Sequence, residues 1–110
     1  MHLYTDDHPH TTVRGLGYKN PQVARQTIRK VEQHFDAKRR RQRLPGWTPR
    51  NCRPRRYLRT KKSCTRYYRT QQTYRILGMC NRARGSLRRT RDPNALRGAI
   101  RVFEQWFAQH

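Results

Sequence analysis

The sequence predicts an all-α chain: a small three-helix module with a long irregular basic arm between helices 1 and 2. Three observations carry this. Apolar residues recur at steps of three and four in three separate segments. No segment sustains the period-2 alternation of a strand, and a tract holding half of the cationic charge separates the first stripe from the other two. At 110 residues there is room for one domain. We divide the chain into an N-terminal arm, residues 1–19, and one helical domain, 20–110, interrupted by the basic arm 38–69.

The opening MHLYTDDHPH is polar and carries two acids, so neither a secretory signal nor an organellar presequence is expected. The arm ends in Arg14-Gly15-Leu16-Gly17-Tyr18, where two glycines around a leucine predict a tight turn. A lone Gly-x-Gly with no third glycine and no preceding strand does not point to a nucleotide site. Asn20-Pro21 then supplies an N-cap and a first-turn proline. Ala24, Ile28, Val31 and Phe35 follow on one helical face, and the spacing predicts helix 1 over 21–36. Arg25 and Arg29 lie on another face.

Residues 38–69 hold 14 basic residues and no acid. Pro45, Gly46, Pro49 and Pro54 forbid a continuous helix through the first part of this tract. A solvated linker seldom carries aromatics as densely as Trp47, Tyr57, Tyr67 and Tyr68 occur here. Moreover 22 of the 27 basic residues are Arg, whose planar fork matches two phosphate oxygens at once and stacks on bases. Arginine alternating with planar rings is a composition for gripping a nucleic-acid backbone while stacking on unpaired bases. The expected backbone contacts are Arg39, Arg40, Arg41, Arg43, Arg53, Arg55, Arg56 and Arg59, with Lys61 and Lys62. Trp47, Tyr57 and Tyr67 are expected to stack.

Helix 2 is predicted from about Thr70 to Arg84. Thr73, Ile76, Cys80 and Ala83 form its stripe, Tyr74 and Leu77 widen it, and Gly85 is placed to stop it. Helix 3 has the clearest signals: Asp92-Pro93 at its start, then Leu96, Ile100, Phe103 and Phe107, with Ala99 and Trp106 beside them. Between the two, Arg84, Arg88, Arg89 and Arg91 make a second basic cluster, from which Arg88 and Arg89 join the expected nucleic-acid contacts. Because all three stripes avoid residues 38–66, deleting that stretch is expected to leave a helical module.

Charge and composition exclude several classes. The formal net charge is +21 with only 33% hydrophobic residues, so self-repulsion opposes compaction and counter-charge must come from outside. No apolar run approaches the roughly 18–20 residues of a spanning helix, and membrane insertion is not expected. The basic residues do not sit opposite one long apolar face, as a membrane-surface helix requires. Cys52, Cys64 and Cys80 are odd in number and contain no CxxC pair, which predicts reduced thiols rather than a disulfide framework or a zinc knuckle. Asp6, Asp7, His8 and His10 are metal-capable but read as a solvated cluster with no partners downstream, and the spacing of Cys52, Cys64 and His34 is not that of a known knuckle. Glu32 and Glu104 read as ion-pair partners within their helices. No nucleophile–base arrangement is visible, so no catalytic residue, cofactor or small-molecule substrate is expected.

Several of these motifs together resemble a small uncharacterised helical domain of large DNA viruses of algae and amoebae and of some protists. The resemblance rests on Thr12-Val13-Arg14-Gly15-Leu16-Gly17-Tyr18-Lys19-Asn20 with Ala24 and Thr27-Ile28, a basic Gly-x-Gly-aromatic turn before a helix. It continues in Asn81-Arg82-Ala83, then Ala99, Phe103 and Trp106-Phe107. Residues 38–66 depart from it as an Arg-rich insertion. The resemblance implies a compact helical module bearing a basic arm, and carries no activity or site residues.

These readings converge on a non-catalytic structural component of a large particle, in contact with nucleic acid and with neighbouring proteins. Short Arg-rich chains are commonest in ribosomes, which favours rRNA and a small organellar (mitochondrial) or lineage-specific ribosomal protein in an intracellular, reducing compartment. The alternative, favoured by the resemblance, is a virion protein of a large DNA virus: a minor capsid, inner-shell or genome-packaging component. Backbone contacts carry no sequence information, so RNA and DNA both remain open at this point.

Overall fold

The computed structural model describes residues 13–48, 52 and 60–110. Three helices form: α1 (Pro21–Gln42), α2 (Lys61–Ser86) and α3 (Pro93–Gln109), and there is no strand among the described residues. The all-α expectation holds. No helix among the described residues is long and apolar enough to cross a membrane.

α1 begins as its sequence predicts. The Asn20 side chain accepts from the Val23 amide at 2.9 Å and Pro21 occupies the first turn, where its missing N–H costs nothing. The preceding turn is docked on the helix, because Thr27 Oγ1 donates to the Gly17 carbonyl at 2.6 Å and accepts from its amide at 2.8 Å. Ala24, Val31 and Phe35 are buried with Thr27, whereas Ile28 is half-buried. The helix does not stop near residue 36. It runs six residues further, since Lys38–Gln42 are good helix formers and Arg39, Arg40 and Arg41 face the negative end of the macrodipole. Pro45 ends it by disfavouring helical backbone at the residue before it.

α2 differs most from expectation, beginning nine residues before Thr70. Thr60 and Ser63 form a reciprocal capping box: Thr60 Oγ1 accepts from the Ser63 amide and Ser63 Oγ from the Thr60 amide. The buried face runs Cys64, Tyr68, Gln72, Ile76, Met79, Cys80 and Ala83, while Thr73 and Tyr74 point to solvent. Gly85 lies inside the last turn rather than ending it. Of the basic tract 38–69, residues 38–42 therefore belong to the end of α1 and 61–69 to the start of α2, which shortens the connection between the two helices to 43–60.

α3 starts at the Asp92 cap and buries Leu96, Ala99, Ile100, Phe103 and Trp106, with Phe107 packed at the edge. Pro21 meets Gly98 near the start of both helices, and Trp106 Nε1 donates to Glu32 Oε1 at 2.7 Å further along, so α1 and α3 run parallel. Gly98 permits that approach, because a β-carbon there would lie 2.6 Å from Pro21 Cγ. α2 is antiparallel to both: Phe35 packs on Tyr68 while Tyr18 reaches Ser86. Glu32 and Glu104 reach across helix interfaces, the latter to Arg84 at 3.6 Å.

The reading of three reduced thiols is corrected. Cys52 and Cys64 form a disulfide, both fully buried, and only Cys80 is free. The early start of α2 turns Cys64 into the core, where Cys52 meets it. The expectation that residues 38–66 are dispensable falls with it, since that deletion removes two core cysteines, the end of α1 and the capping box of α2.

Cys80 sits on the apolar face as expected. Burial pushes its thiol pKa up, Arg84 pulls it down and Glu104 pushes it up again. Alkylation of the folded protein at neutral pH is expected to be slow, becoming fast in denaturant. Rapid labelling of Cys80 without denaturant would contradict this packing.

Candidate nucleic-acid interface

The antiparallel α1–α2 pair gathers the charge. Thr65 Oγ1 donates to Gln42 Oε1 at 2.9 Å and Arg39 Nη2 to Gln72 Oε1 at 3.2 Å, placing the end of α1 beside the start of α2. Arg39, Arg40, Arg41 and Arg43 therefore share one end of the molecule with Lys61 and Lys62. Arg40, Arg41, Arg43, Lys61 and Lys62 are exposed, whereas Arg39 is half-buried and bonded to Asp36. Two further cations that the sequence did not single out, Arg66 and Arg69, line a shallow groove on α2 with Lys61, Lys62, Thr65 and Thr70. Their steps of four and three, from Lys62 to Arg66 and from Arg66 to Arg69, were the available signal.

Trp47 is placed by a turn. Leu44-Pro45-Gly46-Trp47 closes with the Trp47 amide donating to the Leu44 carbonyl at 3.3 Å. Proline at the second position and Gly46 at φ +84° at the third are what a type II turn requires. This folds the indole back toward α1 and α2, where it is half-buried. A groove of about 360 Å³ lies beside it, lined by Lys38, Arg41, Leu44, Pro45, Gly46, Trp47 and Tyr68. The Lys38 ammonium stands 5.5 Å from the Tyr68 ring centroid. Burial, then the Arg41 guanidinium, holds its pKa below the usual lysine value. Tyr67 is half-buried against the core with its ring 5.8 Å from that of Tyr68.

Arg88 and Arg89 are not with this cluster. They lie in the turn between α2 and α3, where Arg89 lines a groove with Tyr18 and Lys19. At about 1.5 Å per residue, α2 puts them roughly 35 Å from Lys62. Arg53, Arg55, Arg56, Tyr57 and Arg59 lie outside the described residues.

The internal supply of negative charge is small. Glu32, Asp36, Asp92 and Glu104 are the carboxylates of the described residues, and each is engaged. Glu32 accepts from Trp106, Asp36 pairs with Arg39, Asp92 caps α3 through the Ala95 amide, and Glu104 pairs with Arg84. Against them stand 22 Lys and Arg side chains. Lys61 and Lys62 even occupy the positive end of α2, whose first turn has no acid. That arrangement is unfavourable unless an anion lies near. No protein-family model, curated protein or solved structure matches the chain.

Proposed function

We propose that this chain is a non-catalytic structural component of a large ribonucleoprotein particle, a small organellar or lineage-specific ribosomal protein that neutralises rRNA phosphates. The observation that carries the reading is the excess of exposed cations over four engaged carboxylates, concentrated where α1 ends and α2 begins. Arginine's fork supplies paired donors to phosphate there, and the wrong-end lysines of α2 gain from the same anions. Resemblance to the domain of large DNA viruses, through Gly15-Leu16-Gly17-Tyr18 and Asn81-Arg82-Ala83, supports a second reading as a virion structural protein. Whether the native particle holds ribosomal RNA or a capsid separates the two.

The isolated protein is expected to bind single- and double-stranded nucleic acid with little sequence preference and steep salt dependence. Neutralising about six phosphates on a single strand lowers affinity by about 4 log units per log unit of salt. Fluorescence anisotropy with a labelled oligonucleotide between low and physiological salt measures the slope. Affinity that stayed flat across that range would exclude a phosphate-gripping role.

A further inference from the structure

We propose that the groove bounded by Lys38, Arg41, Trp47 and Tyr68 takes one unpaired nucleotide of an RNA strand, its base stacked on the Trp47 indole and its phosphate held by Lys38 and Arg41. This rests on the nucleic-acid reading above and adds to it a site and a ligand form. Four observations support it. The groove, at about 360 Å³, falls in the range of small-ligand sites and is too small for a duplex. Its walls combine two aromatic rings with two cations; the groove beside Tyr18, Lys19 and Arg89 has a single ring, the groove beside Trp106 contains Glu32 and Asp36, and the groove on α2 contains no ring. A type II turn fixes Trp47 in place before any ligand arrives, which lowers the ordering cost of binding.

The fourth observation concerns Lys38. In the free protein its ammonium is partly desolvated and faces another cation, Arg41, an arrangement that burial and repulsion both penalise. A phosphate between the two removes the repulsion. Unpaired nucleotides are the form in which a base presents a free face, since within a duplex both faces are covered by neighbours. RNA loops and bulges are the usual source of such splayed bases.

Binding of the full chain to a labelled oligo-uridine strand and to a blunt RNA duplex of equal length, at one salt concentration, tests the site. Trp47→Ala is expected to weaken single-strand binding about tenfold while changing duplex binding less than about twofold. Trp47→Phe keeps a stacking ring and retains most of the single-strand affinity. Lys38→Met weakens single-strand binding, yet melts at or above the temperature of the parent, because a desolvated charge has been removed. Oligo-uridine quenches tryptophan emission in the parent but not in Trp47→Phe, whose remaining Trp106 is buried.

Equal losses on strand and duplex in Trp47→Ala, or quenching that persists in Trp47→Phe, would overturn the assignment while leaving phosphate binding intact. Quenching by an oligo-glutamate peptide as strong as that by RNA would also overturn it, since the groove would then read charge alone. Absence of salt-sensitive binding to either RNA removes the parent reading and the site together.

Discussion

Phe103→Ala is expected to unfold most of the protein near physiological temperature, whereas Arg101→Ala leaves it folded. Phe103 is fully buried on α3, among the residues that α1 and α2 also contribute to the core. Truncating a buried phenylalanine costs about 3–5 kcal/mol, through lost transfer energy and the cavity left behind. A chain of this length has roughly 5–15 kcal/mol of stability in all, and a net charge of +21 pushes it toward the lower end. Arg101 is exposed two positions away on the same helix, and its removal lowers self-repulsion. Thermal melts followed by circular dichroism compare the two. A Phe103→Ala variant that melts with the parent, beside a collapsed Arg101→Ala, would reverse the helical phase of α3 and with it the packing described above.

α3 and the start of α1 were legible because their signals are local: an N-cap followed by proline, then large apolar side chains at helical spacing. α2 was legible only in its second half. Its first two turns read Lys61-Lys62-Ser63-Cys64-Thr65-Arg66-Tyr67-Tyr68-Arg69, in which charge hides the stripe. Cys64 and Tyr68 do lie four residues apart, but the positions that continue their face, Gln71 and Gln72, are polar. Their burial depends on α1 lying alongside, as the Arg39–Gln72 hydrogen bond shows, and that is tertiary information. Tyr68 accordingly belongs to the core, although it lies within a basic tract.

The candidate interface divides in the same way. Arginine excess, the helix-breaking Pro45-Gly46 and the presence of an indole within the basic tract can be read from residue types alone. The gathering of Arg39–Arg43 with Lys61 and Lys62 requires the antiparallel pairing of α1 and α2, and the roughly 35 Å that isolates Arg88 and Arg89 follows from α2 being one uninterrupted helix. Lys38 was counted as one charge among many, and only its neighbours, Tyr68 and Arg41, distinguish it. The Cys52–Cys64 bond was hidden because their separation of 12 residues fits many pairings and none.

Reduction of that bond is expected to be the second large perturbation. Closing a ring of this length in the unfolded chain removes conformational entropy worth about 3 kcal/mol. Reduction leaves two buried thiols in place, so little packing is lost and the change falls mainly on the unfolded state. With a urea m-value of about 1–3 kcal/mol/M, the midpoint moves down by roughly 1–3 M, provided alkylation and mass spectrometry verify that the bond is open. Amides at the start of α2, beside Cys64, should lose exchange protection before those of α3. Bound RNA opposes the loss: a ligand at 100 times its dissociation constant adds about 2.7 kcal/mol to the folded state, nearly cancelling the deficit. The reduced protein should therefore regain most of its urea resistance in saturating oligo-uridine at low salt. An unchanged midpoint after verified reduction would mean that the Cys52–Cys64 bond contributes nothing to the stability of the fold. A reduced protein that RNA fails to rescue would place the phosphate-binding surface outside the folded unit.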